Sequence, residues 1–91
     1  MQIYTTKQIE EMEYDTLINS AHDILGYYVN YCTKNKVKKI FANNISLVRS
    51  MQEDVIDKEN ADTDYNYLWL IRLVENFQTL CQEAKDYVEN D

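Results

Sequence analysis

One glycine, Gly26, and no proline occur in 91 residues, and that near-absence of turn formers restricts the fold of this chain more than any other feature. Sheet-rich folds need glycine, proline or Asn-Gly at their tight turns. Without them the chain is left with helix, and with few of the glycine-bearing loops on which catalytic groups are mounted.

The apolar residues recur at the matching period. A first stripe runs through Tyr14, Leu17, Ala21, Ile24, Tyr28 and Tyr31, thickened by Ile18, Leu25 and Cys32. A second runs through Val37, Ile40, Phe41, Ile45, Val48, Met51 and Val55, and a third, the most regular, through Tyr67, Leu70, Val74, Phe77, Cys81, Ala84 and Val88. Three- and four-residue spacings of this kind predict amphipathic helices over about 6–33, 36–58 and 64–89. Thr5 or Thr6 supplies the first N-cap, with Gln8 placed for a capping box. Ile9 and Met12 fall out of phase with the first stripe, so a break near 13–15 or a separate short first helix is expected. Thr33-Lys34-Asn35-Lys36 reads as a turn with Asn35 in the left-handed conformation. The stretch 57–63 reads as a loop, after which Asp62, Thr63 or Asp64 caps the last helix. Short connections make the expected architecture an antiparallel three-helix bundle, one domain over 1–91. A more open protomer completed by a second copy is the alternative.

Hydrophobic residues make up 45% and charged residues 27% of the chain, which is globular rather than disordered composition. No apolar stretch approaches the ~20 residues of a membrane span, and no signal peptide is recognisable at Met1–Tyr4. Cys32 and Cys81 lie within apolar stripes, as buried free thiols do. A cytoplasmic protein with reduced cysteines is expected. The abundance of isoleucine, asparagine, lysine and tyrosine suits an AT-rich genome, a low-GC bacterium or one of its phages.

Catalysis has little to stand on. His22 is the only histidine, and its neighbours one helical turn away, Ile18, Asn19, Leu25 and Gly26, include no metal ligand or acid. No phosphate loop, Cys-x-x-Cys pair or His-Glu-x-x-His helix is present. Asp54 and Asp57 at a solvated helix end read as charge rather than as a metal site, so no metal or cofactor is implied. Residues 4–12 resemble the opening of a helix-turn-helix domain, but the glycine-bearing turn and basic recognition helix are missing.

Charge is the informative feature. With the helices folded up-down-up, one pole gathers Glu10, Glu11, Glu13, Asp15, Glu53, Asp54, Asp57, Glu59, Asp62 and Asp64 against only Lys7 and Lys58. It therefore carries essentially all of the formal net charge of −7. The helix dipole favours acids at helix starts but opposes Glu53, Asp54, Asp57 and Glu59 at the end of the second helix, and Lys36, Lys38 and Lys39 at its start. Acids of the third helix are expected to compensate the lysines. No cation within the chain compensates the acids.

The same pole carries Tyr65-Asn66-Tyr67-Leu68-Trp69-Leu70-Ile71, apolar around most of the helix. Either the N-terminal segment covers Trp69, or Tyr65, Leu68 and Trp69 are free to meet a partner. Aromatics among charges have the composition of a binding hot spot. The expected partner surface is thus Glu10, Glu11, Glu53, Asp54, Asp57, Glu59, Asp62, Asp64, Tyr65, Leu68 and Trp69. The expected function is a small acidic inhibitor or regulator docking on a basic protein surface, such as a nucleic-acid-processing enzyme. Anti-defence proteins of phages and mobile elements, and immunity proteins against toxic nucleases, have this size and charge. A homodimeric assembly module is the second reading. Anion or nucleic-acid binding by Lys34, Lys36, Lys38 and Lys39 is the weakest, because a strongly acidic chain repels phosphate backbones.

Overall fold

The chain enters its first helix through a capping box. In the computed structural model, which describes residues 3–90, the Gln8 N–H donates to the Thr5 hydroxyl at 3.1 Å and the Thr5 N–H donates to the Gln8 side chain at 2.8 Å. Helix α1 then runs only over Thr6–Glu10 before the chain breaks at 11–13 and restarts as α2, Tyr14–Lys34. The stretch read as one helix over about 6–33 is two helices, with the break that Ile9 and Met12 signal falling at 11–13 rather than 13–15. The break gives Ile9 and Met12 a direction of their own, and Ile9 ends fully buried.

The end of α2 is fixed by backbone bonding. Val37 N–H bonds to Cys32 O at 3.0 Å and Lys36 N–H to Thr33 O at 3.3 Å, the paired bonds of a Schellman stop. The left-handed residue is Lys36, with φ of 60°, and not Asn35 as the sequence suggests. Asn35 instead turns its amide back onto Tyr31 O at 2.9 Å. Val37 and Cys32, the residues that meet across such a motif, are both buried.

This stop delays the next helix. Val37 O accepts from both Ile40 and Phe41, closing an isolated turn, and α3 spans Ala42–Lys58 rather than 36–58. The following connection is correspondingly shorter than 57–63, since Asp57 and Lys58 remain helical. Helix α4, Asp64–Glu89, begins at Thr63, whose hydroxyl accepts the Asn66 N–H at 3.1 Å. Among the described residues all regular structure is helical: one short helix and three long ones packed together.

Contacts between the long helices give their directions. Tyr14 and Tyr67 stack near the starts of α2 and α4, and Tyr28 meets Phe77 further along both, so these helices run parallel. Tyr14 bonds to the end of α3 and Tyr28 to Asn44 near its start, so α3 runs the opposite way. Helix α2 packs against both others, whereas α3 hardly approaches α4. Tyr28 is the hub: fully buried, edge-on to Phe77 at 5.8 Å and Phe41 at 6.5 Å, its hydroxyl accepting from Asn44 at 3.2 Å. Cys32 and Cys81 are buried and unbridged. Burial pushes both thiols up, Cys81 to about 12. A side chain at Gly26 would meet no atom within 4 Å, so its cost of ~1 kcal/mol against alanine is not exchanged for close packing.

Candidate functional site

Two tyrosine hydroxyls assemble the acidic pole. Tyr67, in the first turn of α4, reaches Glu10 O and Met12 O, each at 2.6 Å, and so holds the 11–13 break against that helix. Tyr14, in the first turn of α2, reaches Lys58 O at 2.6 Å and Ala61 O at 3.1 Å. The two rings stack with centroids 6.5 Å apart. Asn66 adds a bond to Ala61 O at 2.7 Å. The starts of α2 and α4, the end of α3 and both connections thereby meet at one end of the molecule. Glu10, Glu11, Glu53, Asp54, Asp57, Glu59, Asp62 and Asp64 all lie there, every one exposed except the half-buried Asp54. Burial raises the Tyr14 hydroxyl, and the nearby Asp62 charge raises it further.

Of the two lysines at this pole, Lys58 is engaged by an aromatic ring. The Lys58 ammonium sits 4.3 Å above the centre of the Trp69 ring, a cation–π contact. Glu59 does have a partner inside the chain, which the sequence reading missed: His22 Nε2 lies 2.7 Å from its Oε1. No helical spacing could reveal a pair separated by 37 positions. Among the described residues no lysine or arginine comes within ion-pair distance of Glu53, Asp54, Asp57, Asp62 or Asp64.

The aromatic run divides by direction. Leu70 and Ile71 are buried, Tyr67 is half-buried under the 10–12 backbone, and Tyr65 and Leu68 point outward, 74% and 47% exposed, with Ile56 of α3 at 55%. The described start of the chain, from Ile3, is not bonded at Trp69. It lies along another side of α4, where Gln78 bonds to both the N–H and the carbonyl of Tyr4, at 2.8 and 3.0 Å. Trp69 is half-buried against the core and borders an open groove of about 420 Å³ between α3 and α4, with Leu47, Met51, Leu73 and Leu80.

At the opposite end the expected compensation is not found. Among the described residues no acid lies within ion-pair distance of Lys36, Lys38 or Lys39, and Lys85 pairs with Glu89 of its own helix at 4.0 Å. The conflict with the helix dipole also disappears there, because the three lysines precede α3 rather than occupy its first turn. It persists at the acidic end, where Asp57 lies in the last turn and Glu59 is the C-cap. No cluster of three or more metal-ligating side chains occurs among the described residues, and no described helix is long and apolar enough to cross a membrane.

No family model matches the chain, and comparison with the curated proteins and with the solved structures found no match.

Proposed function

We propose that this protein is a non-catalytic binding protein, an inhibitor or regulator that sets its acidic, aromatic pole on a basic surface of another protein. The carrying observation is Tyr65 and Leu68 standing exposed among acids of which, among the described residues, only Glu59 has a partner within ion-pair distance, the His22 ring. Repulsion among those acids is relieved when a basic surface arrives, which steers association. Desolvated Tyr65 and Leu68 then slow dissociation. A nucleic-acid-processing enzyme is the partner class whose surface has the required charge. The scaffold is an antiparallel three-helix bundle whose α3–α4 side is left open. The cytoplasm, where thiols stay reduced, is the compartment that suits two unbridged cysteines.

Affinity capture from the source cell identifies the partner, and binding kinetics with that partner purified test the surface. Asp54→Asn with Asp57→Asn should slow association and flatten its salt dependence, without changing the helical circular dichroism. Tyr65→Ala with Leu68→Ala should raise the dissociation rate, costing ~2 kcal/mol or more. Unchanged kinetics in both variants would refute this surface. Trp69→Ala is the comparison: it removes part of the core as well, so it should lower stability alongside any effect on binding.

A further inference from the structure

Helix α3 is flanked by opposite charges at its two ends, and its middle exposes one large apolar side chain, Leu47, among Ser46, Arg49 and Ser50. Lys38 and Lys39 precede it, Asp54 and Asp57 close it, and Leu47 lies midway between the pairs. Neither pair has a counter-ion within its own chain among the described residues. Beside this strip runs the open groove walled by Leu47 and Met51 on one side and Trp69 and Leu80 on the other. Leu47 is 44% exposed and Ile40, near the lysines, 52%. Tyr4 is bonded elsewhere on α4, and no described residue of the N-terminal segment lines the groove.

A strip of this kind is complementary to itself when turned end for end. A twofold axis through Leu47 turns the strip end for end, bringing the Asp54–Asp57 end of one copy toward Lys38, Lys39 and Ile40 of the second. The same contacts recur on the other side of the axis, as an isologous interface requires. The two Leu47 side chains meet at the centre, where an interface is most apolar, and the ion pairs fall toward the rim. We infer that a second copy of this chain closes the α3–α4 face in an antiparallel dimer with Leu47 on the twofold axis. Helix α3 offers a face about 25 Å long at 1.5 Å per residue. A standard interface asks each partner for about 800 Å², a modest fraction of the 6083 Å² that the single chain exposes. The inference goes beyond the partner-binding reading and concerns this chain alone. Because both associations draw on Asp54 and Asp57, a basic partner and a second copy exclude one another.

Sedimentation of the purified full chain from about 1 μM to about 1 mM, a range that brackets weak to moderate dissociation constants, tests it. A reversible monomer–dimer equilibrium that weakens with added salt is expected. Leu47→Glu should yield a monomer with unchanged circular dichroism, and with the wild-type melting temperature at dilutions where the wild type is itself monomeric. Lys38→Glu with Lys39→Glu should weaken dimerisation at least about tenfold, as should Asp54→Lys with Asp57→Lys. All four exchanges together should restore it, as should mixing the two double variants, since each then meets its opposite charge. A chain that stays monomeric throughout overturns the inference and leaves the groove to a different protein. So does a dimer indifferent to Leu47→Glu, or a fourfold exchange that fails to restore association. None of these results touches the partner-binding reading, which is measured on a different complex.

Discussion

Buried thiols and phenols in this core are held in their neutral forms. Cys81 is 3% exposed, and burial lifts its thiol from 9.0 to about 12. Cys32 and Tyr28 are shifted in the same direction by the same cause. A raised pKa means that the unfolded chain ionises first, so the associated stability is complete below about pH 9 and is lost as the pH climbs toward about 12. The urea midpoint should therefore hold steady up to pH 9 and fall beyond it. Cys81→Ala should flatten part of that fall. Native thiols should react with alkylating reagents far more slowly than the same thiols in denaturant, because the thiolate is the reactive form. His22 illustrates the converse kind of residue: half-exposed, and placed against Glu59 by packing rather than by local sequence.

Among the elements, the turn between α2 and α3 is the one built against residue preference. Lys36 holds φ at 60°, a region that costs a residue with a side chain about 1–2 kcal/mol. Nothing in its surroundings uses the ammonium within ion-pair distance among the described residues. Lys36→Gly should consequently stabilise the protein by on the order of 1 kcal/mol, read as a rise in the urea midpoint without change in slope. A neutral or destabilising result would mean that the lysine has a role the backbone argument omits. The same turn moves Lys38 and Lys39 out of the first turn of α3, which removes the dipole penalty that a helix starting at residue 36 would have imposed.

For the molecule as a whole, the arrangement of charge opposes the fold. Exposed acids from the helices and two connections crowd one pole, and those connections are held by tyrosine hydroxyls and the Asn66 amide on backbone carbonyls, with His22 on Glu59. Glu53 and Asp57 alone form a repulsive pair one helical turn apart, worth about 0.2–0.5 kcal/mol. Raising salt from about 0.01 M to about 1 M shortens the screening length from about 30 Å to about 3 Å. Stability should rise by on the order of 1 kcal/mol across that range as several such repulsions are screened. The measurement belongs on the Leu47→Glu chain, so that association does not contribute. A fall in stability with salt would show that attractive pairs dominate the pole.

The helical class, the three apolar stripes, the Thr5 capping box and the Thr63 cap were legible in the sequence, because each depends on residues within a turn or two of one another. The crowding of acids at one pole followed from helix order alone. Tertiary structure decided what local spacing cannot carry. It set the stop at Lys36 and the late start of α3, which depend on Val37 finding the core. It paired His22 with Glu59 and spread the lysine end without partners. It bonded the described start of the chain to Gln78 rather than at Trp69. It also left α3 leaning on α2 with a groove beside α4. Periodicity tells a helix which of its faces is apolar, but it cannot say which neighbour will cover that face, because that choice rests on how three helices divide one core among them.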